Sequence, residues 1–153
     1  MESTNQKLIK GAIKTAIING FINGGIQYFL LKDRTLISIT VDSITNTDET
    51  VLGTAVVLSI TLAMILTVIG YFTVKQEKVA FFPNAFWLII KHGFFTFGVL
   101  TSLAVLWQKY MGTVQVPLLT ALIIIGVISG VVSGVVNYLT LKGCVKTNPL
   151  VSA

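Results

Sequence analysis

Three carboxamide side chains recur every four residues in the first apolar stretch of the chain: Asn19, Asn23 and Gln27. This spacing places them on one face of an α-helix. Carboxamides donate and accept hydrogen bonds without carrying charge, so such a face suits either the binding of a small solute or the joining of two helices. A matching polar series in the last apolar stretch consists of Ser129, Ser133 and Asn137.

Small residues accompany both polar series. In the first stretch, Gly20 and Gly24 continue a four-residue spacing that begins at Ala12 and Ala16. The last stretch has the same spacing, at Gly126, Gly130 and Gly134. Small residues at every fourth position let helix backbones approach closely in a membrane, and neighbouring polar side chains can then hydrogen-bond across the contact. We therefore predict that the first and fourth helices touch through these glycine faces, within one subunit or between two.

The polar residues of the two helices are predicted to lie at matching depths. Counted from the lysine at the inner end of each helix, Asn19 and Asn137 are both five residues in. The same count pairs Asn23 with Ser133 and Gln27 with Ser129. Two interpretations remain open: packing contacts between the helices, or a polar route for a solute. Three carboxamides on one helix exceed what glycine packing needs, which favours keeping the route as a hypothesis.

The sequence lacks the constellations of an enzyme or a metal site. No aspartate or glutamate lies within an apolar stretch, so a proton relay through a buried carboxylate is not expected. The single histidine, His92, follows Lys91 near one end of a stretch, and the single cysteine, Cys144, has no internal disulfide partner. Nucleotide-binding, zinc-protease and serine-hydrolase motifs are missing. We expect no enzymatic activity, no metal and no cofactor, with His92 an interfacial polar residue.

The elements that must position these residues are long apolar segments. Of the 153 residues, 54% are hydrophobic and 11% are charged, whereas about a quarter of a soluble domain is charged. Four segments, at about 11–31, 51–74, 86–107 and 117–141, can each cross a bilayer as a helix, because about 20 residues span the hydrocarbon core. The predicted fold class is all-α: a polytopic membrane protein with four transmembrane helices in one bundle, a single integral membrane domain over 1–153.

Positive charge is divided unevenly between the two ends of these segments. Three basic residues lie at one end: Lys32, Arg34 and Lys109. The other end has eight: Lys7, Lys10, Lys14, Lys75, Lys78, Lys91, Lys142 and Lys146. The more positive end faces the cytoplasm by the positive-inside rule, so we predict that both termini are cytoplasmic. A membrane also accounts for the net charge of +5, and no nucleic-acid partner is expected.

The chain has the pattern of an internal duplication. The lysine pairs that bound 14–32 and 91–109 are both 18 residues apart, and the segments 70–75 and 137–142 share Tyr, Thr and Lys at corresponding positions. This pattern predicts two tandem helical hairpins, both entering from the cytoplasm and related by an axis along the membrane normal. The alternative is that boundary constraints alone place lysine and tyrosine at the membrane edges.

The two outer connections differ in length. The first, 33–50, contains a stretch at 37–42 that alternates as a β-strand does, followed at 47–50 by residues that cap helices. In the inner connection, Pro83 suits the first turn of the third helix. Nothing in the outer connection indicates its role.

The span pattern, together with NGFIN at 19–23 and TVLG at 50–53, resembles small four-span bacterial inner-membrane proteins with permease-like or unknown-function labels. The resemblance covers most of the chain. It implies a multi-pass protein of the bacterial inner (plasma) membrane, as does the preference for lysine over arginine. It transfers no functional residue.

Two functions remain open. The first is permease-like transport of an unidentified neutral or cationic solute, with the polar series as the substrate pathway. The second is a non-catalytic membrane subunit or scaffold, in which the polar series is a helix-packing stripe that binds a partner membrane protein. Because one four-helix bundle leaves little room for a pore, transport favours a homodimer. The lipid bilayer surrounds the protein in both cases.

Overall fold

A computed structural model of the chain describes residues 4–41, 49–75 and 77–145. The fold is all-helical apart from two short strands, with 81% of the described residues in helices. The four α-helices are α1 (Thr4–Leu31), α2 (Val51–Thr73), α3 (Phe86–Met111) and α4 (Leu118–Cys144). They contain the four predicted segments to within a few residues. Asp42, Asp48 and Lys146 lie outside the described residues.

The ends of the helices follow from local sequence. Thr50 caps α2: its Oγ1 accepts a hydrogen bond from the Gly53 N–H at 3.2 Å and donates one to the Thr40 carbonyl at 3.0 Å. A side-chain acceptor at this position satisfies one of the free N–H groups of the first turn. Pro83 lies in a π-helical turn, Phe81–Ala85, directly before α3. At the far end, α3 stops at Gly112, whose φ of 69° is a conformation that glycine adopts without strain.

Two short strands join the connection between α1 and α2 to the connection between α3 and α4. Strand β1 (Leu36–Ile39) pairs antiparallel with β2 (Val114–Pro117), so that Leu36 faces Pro117 and Ile39 faces Val114. The alternation at 37–42 predicts β1, whereas no pattern in the sequence predicted β2. Below this sheet, Ile37 and Ile39 pack with buried residues of the helix ends: Leu31, Val51, Ala121, Leu122 and Ile125. The sheet thereby fixes this end of the helices relative to one another.

The helices pack in the order α1, α4, α2, α3. The most extensive contact joins α1 to α4, and α4 in turn packs on α2, which packs on α3. Helices adjacent in sequence, α1 and α2, make little contact within the described residues. The predicted tandem hairpins are therefore not packed units. The physical reason is that the smallest faces of the chain lie on α1 and α4, so these two helices approach most closely.

Helices α2 and α4 run parallel with a nearly constant offset along their length. Val51 packs in the cluster that holds Ala121, and a Cβ on Gly70 would lie 2.8 Å from Thr140 Cγ2. At the end of both helices, Val74 packs with Cys144. This parallel arrangement places α4 at the centre of the fold, with α1 on one side and α2 on another.

Within the described residues, three helices are long and apolar enough to cross a membrane: α2, α3 with the turn before it (Phe81–Met111), and α4. Such helices indicate a membrane protein. The fourth predicted span, α1, is not among them. It has 28 residues, but Lys14 and the three carboxamides interrupt its apolar sequence.

Candidate functional site

The glycine faces of α1 and α4 meet almost backbone to backbone. A Cβ on Gly130 would lie 2.9 Å from the Ala16 carbonyl oxygen, and a Cβ on Gly20 would lie 3.0 Å from that of Gly126. The contact continues at both ends. A Cβ on Gly134 would lie 3.1 Å from the Ala12 carbonyl oxygen, and a Cβ on Gly24 would lie 3.8 Å from that of Leu122. Any side chain at the central positions would force the helices apart. The packing face thus contains all five glycines of the two stripes.

The carboxamides of α1 bond to their own helix. Asn19 Nδ2 donates to the Thr15 carbonyl at 3.0 Å, and Asn23 Nδ2 donates to the Asn19 carbonyl at 2.8 Å. Asn23 and Gln27 are buried, with 5% and 7% of their surfaces exposed, whereas Asn19 is half-buried. Each of these two amide nitrogens therefore has a hydrogen-bond acceptor within its own helix.

The serines of α4 are also closed on their own helix. Ser129 donates to the Gly126 carbonyl at 3.1 Å, and Ser133 donates to the Ser129 carbonyl at 2.7 Å. Both side chains are buried. They share a helical stripe with Thr140, which contacts α2 at Gly70. The serines thus lie toward the α2 side of α4, beside the glycine face rather than on it.

In the described part of the chain, one hydrogen bond joins the polar series of α4 to a side chain of α1. Asn137 Nδ2 donates to Thr15 Oγ1 at 2.9 Å. The predicted partner of Asn137 was Asn19, one turn further along α1. This hydrogen bond lies about one turn from the predicted pair. The glycine contacts, which place Gly134 beside Ala12 and Ala16 instead of Ile22, displace the register by about two turns, because close backbone contact sets the register and not the distance from each lysine.

A second polar cluster joins α2, α3 and α4. His92 of α3 is 6% exposed, and its Nδ1 lies 2.8 Å from Thr67 Oγ1 of α2. Thr140 Oγ1 of α4 lies 3.5 Å from each of these two atoms. The sequence predicted His92 to be an interfacial polar residue and did not predict this cluster, because its members come from three separate helices and share no spacing.

Hydrogen-bond geometry favours a proton on Nδ1 of the imidazole. The Thr67 hydroxyl has a single proton, and its Oγ1 lies 2.6 Å from the Ala63 carbonyl oxygen. With that proton donated to Ala63, the hydroxyl oxygen accepts from Nδ1–H of His92. In the neutral ring, Nε2 is then the acceptor nitrogen. The arrangement ties α2 to α3, and the hydroxyl partners do not provide the carboxylate that orients a catalytic histidine.

An apolar groove of about 680 Å³ runs along the α1–α4 contact, on the flank away from the buried serines of α4. Its walls are large side chains that project on either side of the glycines: Ile17, Phe21, Ile123, Val127 and Val131. Asn19 lies on the other flank of α1. The groove consequently offers hydrocarbon contact and no polar ligand, so the polar series and the groove are separate surfaces.

No known protein family, characterised protein or solved structure matches this chain. Among residues 4–41, 49–75 and 77–145, no three His, Cys, Asp or Glu side chains are placed to hold a metal ion together. Cys144 is fully buried and packs with Tyr71, Val74 and Ala85.

Proposed function

We propose that this chain is a permease-like membrane protein that moves a small neutral or cationic solute, with Asn19, Asn23 and Gln27 as hydrogen-bonding ligands. The observation that carries the proposal is the way the polar series is bonded. Glycine contacts hold α1 against α4, and Asn19, Asn23 and the two serines bond back to their own helices. Their retention in the interior is costly in a membrane and is not explained by helix packing.

The scaffold alternative is weaker for the polar series, because a partner helix cannot reach buried side chains such as Asn23 and Gln27. It is favoured instead by the apolar groove, whose rim includes Phe21 with 81% of its surface exposed. A partner membrane protein or a second copy of the chain would seat there. Both functions are non-enzymatic and need no cofactor.

The proposal includes four membrane spans, with both termini in the cytoplasm of a bacterial cell and the chain in its inner membrane. The support for a spanning α1 is its antiparallel contact with α4, which runs from Ala12 beside Gly134 to Gly24 beside Leu122. If α4 spans the bilayer, α1 lies at the same depths. The exposed isoleucines and phenylalanines of α1 then face lipid.

Reporter fusions test this topology. Fusions after Lys32, Lys78, Lys109 and Lys146 should report outside, inside, outside and inside in turn, because the excess of lysine keeps the inner end in the cytoplasm. Periplasmic phosphatase activity should appear only at the first and third positions. Phosphatase activity after Lys78 would overturn the orientation, and its absence after Lys32 would remove α1 from the set of spans.

Solute flux tests the permease function. Proteoliposomes containing the chain should equilibrate at least one of glycerol, urea and choline faster than protein-free vesicles, as measured by light scattering after an osmotic step. Asn23→Leu should abolish this difference, because leucine has no hydrogen-bonding group to replace the hydration of the solute. Phe21→Leu, at the same depth on the lipid side of α1, is the matched control and should retain it. Equal rates with and without wild-type protein for all three solutes would contradict the proposal.

A further inference from the structure

The start of α3 is the positive end of a helix with no acidic side chain beside it, and its first N–H, that of Phe86, bonds to the carbonyls of Phe81 and Pro83 in the preceding turn. The first turn has no acidic residue, and no side chain caps its N–H groups. A helix N-terminus attracts negative charge, and cations are favoured at the opposite end. Lys91 nevertheless lies in the second turn and is exposed. Helix electrostatics therefore do not explain Lys91, and an anion from outside the chain would compensate both.

The last turn of α4 brings the backbones of two further lysines near the start of α3. In the structure the ammonium of Lys78 lies 3.5 Å from the Tyr71 carbonyl oxygen, and that of Lys142 lies 5.9 Å from the centre of the Tyr138 ring. A Cβ on Gly143 would lie 3.3 Å from Leu88 Cδ2 in the first turn of α3, which brings the exposed Lys142 beside this turn. Val145, immediately after α4, forms a β-bridge with Lys78. Glu77 is the one acidic residue among the described residues at this end of the fold.

Exposed aromatic side chains border these lysines. Phe82 is 70% exposed and Trp87 is 61% exposed, and Trp87 lies one turn before Lys91 on the same face of α3. Tryptophan in such a position sits at the level of lipid headgroups. We propose that the rim formed by Lys78, Lys91, Lys142 and Trp87 binds the headgroup of an anionic phospholipid. Positive charge would meet the phosphate, and the aromatic surface would meet the upper acyl chain, which a free phosphate ion does not provide.

The proposal does not depend on transport, and the two tryptophans of the chain allow a direct test. With Trp107→Phe, the remaining Trp87 reports on lipid at the rim. In vesicles of phosphatidylcholine, a minor fraction of brominated phosphatidylglycerol should quench Trp87 more strongly than the same fraction of brominated phosphatidylcholine. With Trp87→Phe, the remaining Trp107 at the other end of α3 should show little difference between the two lipids.

Removal of single charges makes the test specific. Lys91→Gln and Lys142→Gln should each lower the relative affinity for phosphatidylglycerol about fivefold, the attraction usual for one lysine near an anionic surface. Lys109→Gln, at the opposite end, should leave it unchanged. Equal quenching by the two lipids, or a preference that persists in both rim variants, would overturn the proposal. So would loss of the preference on addition of inorganic phosphate, which would assign the rim to a free ion.

A second measurement does not depend on the tryptophan substitutions. In detergent, phosphatidylglycerol should raise the unfolding temperature of the wild-type chain more than phosphatidylcholine does, because a ligand that binds only the folded state stabilises it. Lys91→Gln should lose this increment and Lys109→Gln should keep it. An increment of the same size in both variants would contradict the lysine rim.

Discussion

Gly130→Ala will destabilise the chain in detergent more than alanine at any other glycine of the α1–α4 contact. The added Cβ would lie 2.9 Å from the Ala16 carbonyl oxygen, a contact with rigid backbone that no rotamer change relieves. Overpacking of this kind costs about 1–3 kcal/mol, against a gain of about 1 kcal/mol in helix propensity when alanine replaces glycine. The unfolding temperature should fall by several degrees.

Gly25→Ala is the matched control. Gly25 lies in α1 next to the contacting Gly24, but a Cβ there meets no atom within 4 Å. This variant should be as stable as the wild type or more stable. Equal unfolding temperatures for Gly130→Ala and Gly25→Ala would show that α1 and α4 are not in backbone contact.

Thr67→Val will be the most damaging of the hydroxyl deletions. It keeps the shape of the side chain but removes the acceptor for His92 Nδ1–H at 2.8 Å. A buried donor left without a partner costs about 1–3 kcal/mol. Thr140→Val should cost less, because the Thr140 hydroxyl lies 3.5 Å from the same nitrogen. Both costs are measured as the change in the free energy of unfolding in a denaturing detergent.

Thr61→Val controls for the loss of a hydroxyl as such. Thr61 is on the same helix, is exposed, and bonds only to the Val57 carbonyl at 3.0 Å. We expect no measurable change in stability. If Thr67→Val were as mild as Thr61→Val, no buried donor would have lost its acceptor, and the Nδ1–H assignment would be wrong.

Much of the fold could be predicted from the sequence because membrane helices are coded by local composition. Long apolar runs placed the four helices, and the four-residue spacing of Gly20, Gly126 and Gly130 identified the faces through which α1 and α4 meet. The Thr50 cap was likewise readable, since a cap needs only its own side chain and the next turn.

What could not be predicted depends on registers and distant pairings. Lysines at corresponding positions suggested that Asn137 faces Asn19, but close backbone contact sets the register and brings Asn137 to Thr15. Strand β2 has only four residues and forms because β1 is available beside it. His92 looked isolated in the sequence because its partners, Thr67 and Thr140, lie on other helices and become neighbours only when α2, α3 and α4 pack.

The measurement that tests the central claim most directly is the water accessibility of Asn23. Asn23→Cys, made in a Cys144→Ser background, should react with a membrane-impermeant thiol reagent, because thiolate formation requires water and a transport cycle must open this buried position. Phe21→Cys, on the exposed apolar flank of the same helix, should remain unlabelled because the proposal places it in lipid, and Lys32→Cys, just after α1, should label rapidly. Complete protection of Asn23→Cys and Gln27→Cys, in a protein whose Lys32→Cys variant labels, would contradict a hydrated solute route through this fold.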